Sequence, residues 1–163
     1  MAAHPPPPSD AALAEAVDHV GVTRLQHAYA DAINRRDWAA VTGLFLPGAP
    51  IRLDLVDRGP FDLDGAEGLV AFIEPAMARF AHFSFAILSS HVELWPDGDT
   101  DAATARLAMC ELRTDVDGEE SRAFGLYRDR YARTPDGWRF AARRYQTLAR
   151  SPGGTAFPYP TDA

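Results

Sequence analysis

Three observations predict an α+β domain in which helices come first and an antiparallel meander follows. Apolar side chains recur at helical spacing through the opening third of the chain. Four later segments, about 82–95, 102–115, 121–134 and 138–149, read as strands. Their separators, Pro96-Asp97-Gly98-Asp99, Asp117-Gly118 and Pro135-Asp136-Gly137, are turn signals, and Asp-Gly favours tight hairpins.

Taken in order, residues 1–9 form a proline-rich tail without the donors for regular structure. Ser9 or Asp10 is the expected cap of a helix starting at Ala11. Its stripe is Val17, Val20, Leu25, Ala28, Tyr29, Ala32 and Ile33, and Gly21 is a candidate break. Asp37 caps a second helix carrying Trp38, Val41, Leu44 and Phe45, which Pro47-Gly48 stops. Ile51 to Val56 alternates as a short strand. Asp64 begins a third helix with Leu69, Phe72, Ile73, Ala76, Met77 and Phe80 on one face, and Pro75 should kink or shorten it. The folded domain is expected over 10–150, with 151–163 loose.

At 163 residues the chain fits one domain able to bury a core without disulfide or metal. A net charge of −7 argues against nucleic acid or anionic lipid as a partner. The single cysteine, Cys110, excludes an internal disulfide and fits a reducing compartment. No apolar run reaches the ~20 residues that a membrane span needs. A cytoplasmic location is the expectation. No pair of histidines has metal-ligand spacing, so no metal is expected. Trp95, Phe124, Tyr131 and Trp138 on the strands need covering, which motivates a homodimer.

Three stretches carry a family likeness: Tyr29 to Trp38 (YADAINRRDW), Gly125 to Tyr131 (GLYRDRY) and Asp136 to Phe140 (DGWRF). Together, over about residues 17–150, the chain resembles the SnoaL-like branch of the nuclear transport factor 2-like superfamily, with scytalone dehydratase and SnoaL-type polyketide cyclases the nearest likeness. The resemblance implies a cone-shaped barrel. In it a strongly curved, mostly antiparallel sheet has N-terminal helices packed over its open side and a small-molecule pocket within. It implies a usually dimeric protein and diverse roles: dehydratase, isomerase, cyclase, or a catalytically inert binding or scaffold member.

Carried over residue by residue, the dehydratase pattern has a catalytic aspartate where this chain has Asn34 and a tyrosine near Leu55. A family histidine matches His82, a second falls on Cys110, and an asparagine falls on Tyr127. Only His82 of that constellation is kept, so a scytalone-type dehydration is not expected. An asparagine orients a ligand but cannot serve as a carboxylate base.

The expected site therefore has His82 as proton shuttle, Tyr127 as polarising donor and Asp129 as reserve base. Tyr29, Asn34, Leu55, Cys110 and Gly125 are the expected substrate-binding residues, with Gly125 letting a ligand approach the backbone. The alternatives stay open. His82 can be a polar loop residue, Cys110 a core thiol, and Tyr29 a packing residue. Asp129 can pair with Arg143 or Arg144 on the neighbouring strand, and Glu111 can pair with Arg106, Arg113 or an arginine of the next strand, or face the cavity. The implied function is binding of a small hydrophobic, polyketide- or steroid-like ligand. Cyclisation, isomerisation or dehydration would follow without cofactor. Its rivals are a non-catalytic binding module and a structural small subunit like that of ring-hydroxylating dioxygenases.

Overall fold

A computed structural model describes residues 7–55 and 58–152. Most of the expected loose ends, 1–6 and 153–163, and the end of the first strand at Val56 lie outside the described residues.

Helix α1 spans Asp10–Arg35 and α2 spans Trp38–Gly43. The Ser9 hydroxyl caps α1 by accepting from the Ala12 amide at 3.2 Å. Arg36, in the left-handed region at φ 55°, ends it. Asp37 then accepts from the Ala40 amide at 3.0 Å to start α2. Gly21 does not divide α1. A Cβ there would lie 2.7 Å from Cδ1 of Trp138, so the glycine lets the helix approach the sheet. The buried stripe is also rotated from the expected one. Val17 and Val20 are exposed, whereas Asp18, Val22 and Gln26 are buried. Polar partners explain the turn of the helix. Asp18 accepts from Arg133 and, at 3.0 Å, from Trp95 Nε1, and Gln26 donates to the Tyr131 hydroxyl at 2.9 Å.

Strands β1 (Ile51–Asp54) and β2 (Phe61–Leu63) precede α3 (Gly65–Ala78). The short β2 is a strand that the sequence pattern did not announce. Asp64 makes no side-chain cap bond, and α3 continues three residues past Pro75. The long strands are β3 (Phe80–Leu94), β4 (Ala102–Asp115), β5 (Glu120–Thr134) and β6 (Gly137–Ser151). Their sheet order is β2-β1-β6-β5-β4-β3, with β1 parallel to β6 and every other pair antiparallel. Register shifts at Phe80/His82, Ile87/Ser89, Phe124/Gly125 and Arg130/Tyr131 interrupt the ladders. Such bulges bend strands and let the sheet curve around the helices. The result is the expected α+β cone with helices over the open side of a curved sheet.

Alternation decides what each face carries. Leu107, Tyr127, Tyr145 and Leu53 are register partners on the inner face, all buried. Helix α1 covers that face: Tyr29 meets Phe45, Phe85, Tyr127 and Phe140 edge to face at 5.7–6.3 Å between centroids. Tyr131 and Trp138 are buried within the chain, and Trp95 is half-buried against Asp18. These three are covered without a partner subunit, which removes much of the motive for a dimer.

Candidate functional site

Between α1, α3 and the inner sheet face lies a cavity of about 400 Å³. Its walls are apolar, with Ile33 from α1, Leu69, Phe72 and Ile73 from α3, and Phe83 and Phe85 from β3. Its polar tips are Tyr29 from α1, Glu111, Arg113, Tyr127, Arg143, Tyr145 and Arg150 from the sheet, and Arg58 and Arg79 from the segments before β2 and after α3. An apolar enclosure with a few convergent polar groups is the usual build of a small-molecule site.

Arg143 dominates its chemistry. Its side chain is 1% exposed, and Nε and one Nη donate to the two Asp129 oxygens at 2.8 Å each. Rings surround the guanidinium, with the Tyr127, Tyr29 and Phe140 centroids 4.1, 4.2 and 4.4 Å from Cζ. Burial alone would lower this group, but the Asp129 carboxylate outweighs it and holds the guanidinium above its ordinary value. Asp129 also accepts from the Tyr131 hydroxyl at 3.1 Å, and Tyr131 in turn accepts from Gln26. The other terminal nitrogen, Nη1, is buried with no acceptor among the described residues. A buried charged donor left unmatched is costly, so this atom is available to an oxygen entering the cavity.

Glu111 is the one carboxylate lining the cavity among the described residues. It accepts from Nε of Arg113 at 2.9 Å. Burial, reinforced by the Glu111 charge among others, pushes the phenols of Tyr29, Tyr127 and Tyr145 up, Tyr145 to about 12. These phenols are therefore proton-bearing donors across neutral pH. No cluster of three or more His, Cys, Asp or Glu residues among the described residues could hold a metal ion.

The expected site residues divide clearly. Tyr29, Leu55 and Tyr127 line the cavity. Asp129 is buried but engaged by Arg143 and Tyr131, which leaves it no free role as a base. His82 is exposed on β3, its ring 3.2 Å from the Ser84 hydroxyl, and is absent from the cavity wall. The register shift between Phe80 and His82 turns the intervening residues, so Phe80 and Phe83 face the ligand space instead. Cys110 is buried on the opposite face of β4 from Glu111. Burial raises its thiol above the usual range.

The space over Gly125 is filled by the protein itself, since a Cβ there would fall 2.2 Å from the Tyr145 ring. Asn34 holds the sheet edge. Its amide donates to the Phe85 carbonyl at 3.0 Å and accepts from the Phe85 N–H at 2.7 Å. Asn34→Ala should therefore cost about 1–3 kcal/mol in chemical denaturation and speed amide exchange at Phe85. A loss of less than half the lower bound would remove that structural role. Arg113, Arg143 and Tyr145 are among the lining residues that the sequence pattern does not place in the site, while it leaves Glu111 open between an ion pair and the cavity. Alternation on β4 sets Cys110 and Glu111 on opposite faces without saying which of them faces inward.

The chain's relatives agree with this build. The family described as SnoaL-like domain matches residues 14–144. No curated protein matches. Among solved structures, a proposed aromatic ring hydroxylase from Novosphingobium aromaticivorans is 24% identical, at a TM-score of 0.69, over 85% of this chain and 93% of its own. Hexachlorocyclohexane dehydrochlorinase LinA-type3 from Novosphingobium barchaimii is 15% identical at 0.72, over 91% and 99%. A proposed scytalone dehydratase from Novosphingobium aromaticivorans is 13% identical at 0.73, over 92% and 97%. At such identities these structures speak for the fold alone. Family match, sheet order and helix-covered cavity agree, and the chain belongs to the SnoaL-like domain family.

Proposed function

We propose that the cavity binds a small, largely apolar ligand bearing a carbonyl oxygen and catalyses proton transfer next to that carbonyl without a cofactor. The observation that carries the reading is the buried, acceptor-free Nη1 of Arg143 in an apolar cavity that also holds Glu111. The ligand oxygen would accept from Nη1, where charge developing as an enolate is stabilised in a low-dielectric site. Tyr127, kept protonated and lining the same cavity, would be a second donor. Glu111 would take the proton from the adjacent carbon, as a general base does. Isomerisation, cyclisation or elimination on a polyketide- or steroid-like skeleton all begin with that step, and the neighbours named for dehydratase and dehydrochlorinase chemistry fit it by analogy.

The test is loss of α-deuterium from deuterated 2-tetralone, a bicyclic ketone of suitable size, followed by nuclear magnetic resonance. The wild type should exceed buffer by about 10²–10⁴-fold, and Glu111→Gln should return the rate to background. Equal rates for both proteins would end the catalytic reading.

A second reading has one observation of its own. Arg113 already pairs with Glu111, so the carboxylate can serve to hold the wall while the cavity only binds. In that case 2-tetralone would quench or perturb the proteins' tyrosine fluorescence equally while exchange stayed at background in both.

A further inference from the structure

Arginines line the cavity in two settings. Inside, Arg143 holds Asp129, and Arg113 holds Glu111, the one cavity carboxylate among the described residues. At the mouth stand Arg58, just before β2, and Arg79, which ends α3. Both are exposed residues that still line the cavity.

Each of these two lies over a ring instead of a carboxylate. Cζ of Arg58 is 4.0 Å from the Phe61 centroid and 5.2 Å from that of Phe72. Cζ of Arg79 is 4.7 Å from the centroid of Phe80. Phe72 and Phe80 are themselves cavity walls. Neither arginine makes an ion pair among the described residues. The carboxylates beside those rings are engaged elsewhere. Asp62, next to Phe61, pairs with Arg52, and Asp115, opposite Phe80, accepts from the Asp117 and Glu119 amides. A guanidinium resting on a ring keeps its N–H edge for an acceptor. In a chain of net charge −7, two such cations at one cavity mouth favour an anion there.

We infer that the ligand is a carboxylic acid, with its carbonyl end at Arg143 and its carboxylate at the mouth, held by Arg58 and Arg79. This names the substrate class of the same site and rests on the reading that puts the ligand's carbonyl oxygen at Arg143 Nη1. The cavity's two ends set the ligand's direction. A neutral carbonyl sheds its water at modest cost and suits the buried cation. A full negative charge is far costlier to bury, more so beside Glu111, and stays where water also reaches it. A planar carboxylate takes two parallel bonds from one guanidinium edge, which a lone carbonyl or ether oxygen does not.

The test compares 2-tetralone with its 6-carboxylate, which carries its carbonyl and carboxylate at opposite ends of the bicycle. Calorimetry reads both at low and at physiological salt. The wild type should bind the carboxylate about fivefold or more tighter than the parent ketone at low salt, and the gain should shrink as salt rises. Arg58→Gln/Arg79→Gln should bring the two ligands to equal affinity. Its affinity for 2-tetralone should stay at the wild-type value, which also shows that the variant is folded. Should the double variant unfold, Arg79→Gln alone should at least halve the gain. Equal affinities in the wild type, or a gain that survives these substitutions, overturns the inference and leaves the two arginines as covers for Phe61 and Phe80. A carboxylate gain without α-deuterium exchange removes the proposed catalysis and keeps the carboxylate site. Exchange of 2-tetralone without a carboxylate gain does the reverse. Neither ligand binding ends both.

Discussion

Asp129→Ala should destabilise the fold by about 3–5 kcal/mol, the largest loss expected of any single carboxylate here. The cost does not measure the attraction between Asp129 and Arg143. It arises because Arg143, 1% exposed and ringed by Tyr29, Tyr127 and Phe140, would keep its charge with no counter-ion and no water. Tyr131 would lose its acceptor at the same time, stranding the Gln26–Tyr131 link that ties α1 to β5. Such a loss is a large share of the roughly 5–15 kcal/mol that holds a domain together.

The double variant Asp129→Leu/Arg143→Met separates the two explanations. Apolar residues of similar volume in place of a buried pair are often neutral or better, so it should recover most of the stability that Asp129→Ala loses. Urea denaturation reads both. A single variant within about 1 kcal/mol of wild type would mean that water or a rearranged side chain reaches the guanidinium.

This pair also shows what the sequence made legible. The Asp136-Gly137 turn sets the first β5–β6 pairs, but counting back from it would bring Asp129 opposite Ala142, and the register shift between Arg130 and Tyr131 moves it to Arg143. Fold class, the three helical segments and the four long strands follow from periodicity and turn chemistry in the same local way. The site was harder because each inward or outward assignment on a strand rests on parity, and one extra residue reverses it. The shift between Phe80 and His82 sets Phe80 and Phe83 toward the cavity while His82 remains exposed. On β4 the choice between Cys110 and Glu111 as the inward residue has no local signal, since an apolar neighbour flanks each. Asn34 bonds a strand edge 51 positions away, a contact no spacing rule reaches. Gly21 looked like a helix break for the same reason: Trp138, which requires it, lies in a different element.

Raising the pH should unfold this protein within one to two units above about pH 10, where an ordinary tyrosine ionises. Tyr29, Tyr127, Tyr131 and Tyr145 are each at most 8% exposed, and burial pushes all four phenols upward, Tyr145 to about 12. A group that holds its proton more tightly in the folded chain contributes its full stability below the unfolded value. That contribution is lost as pH rises toward the folded value, because the unfolded chain releases the proton first. Each such phenol takes about 1.4 kcal/mol per pH unit, so the four together take more than 5 kcal/mol per unit, which is the scale of a domain's whole margin.

The chain should therefore open before the folded phenols ionise in place. Phenolate absorbance and far-ultraviolet circular dichroism should change together in one steep transition. Tyr145→Phe should make it shallower, since the phenylalanine has no proton to lose. Gradual phenolate formation near the ordinary value, with the circular dichroism unchanged, would show that hydroxide reaches these side chains in the folded state. The cavity would then be open to bulk water, and the low-dielectric stabilisation assigned to Arg143 Nη1 would have no basis.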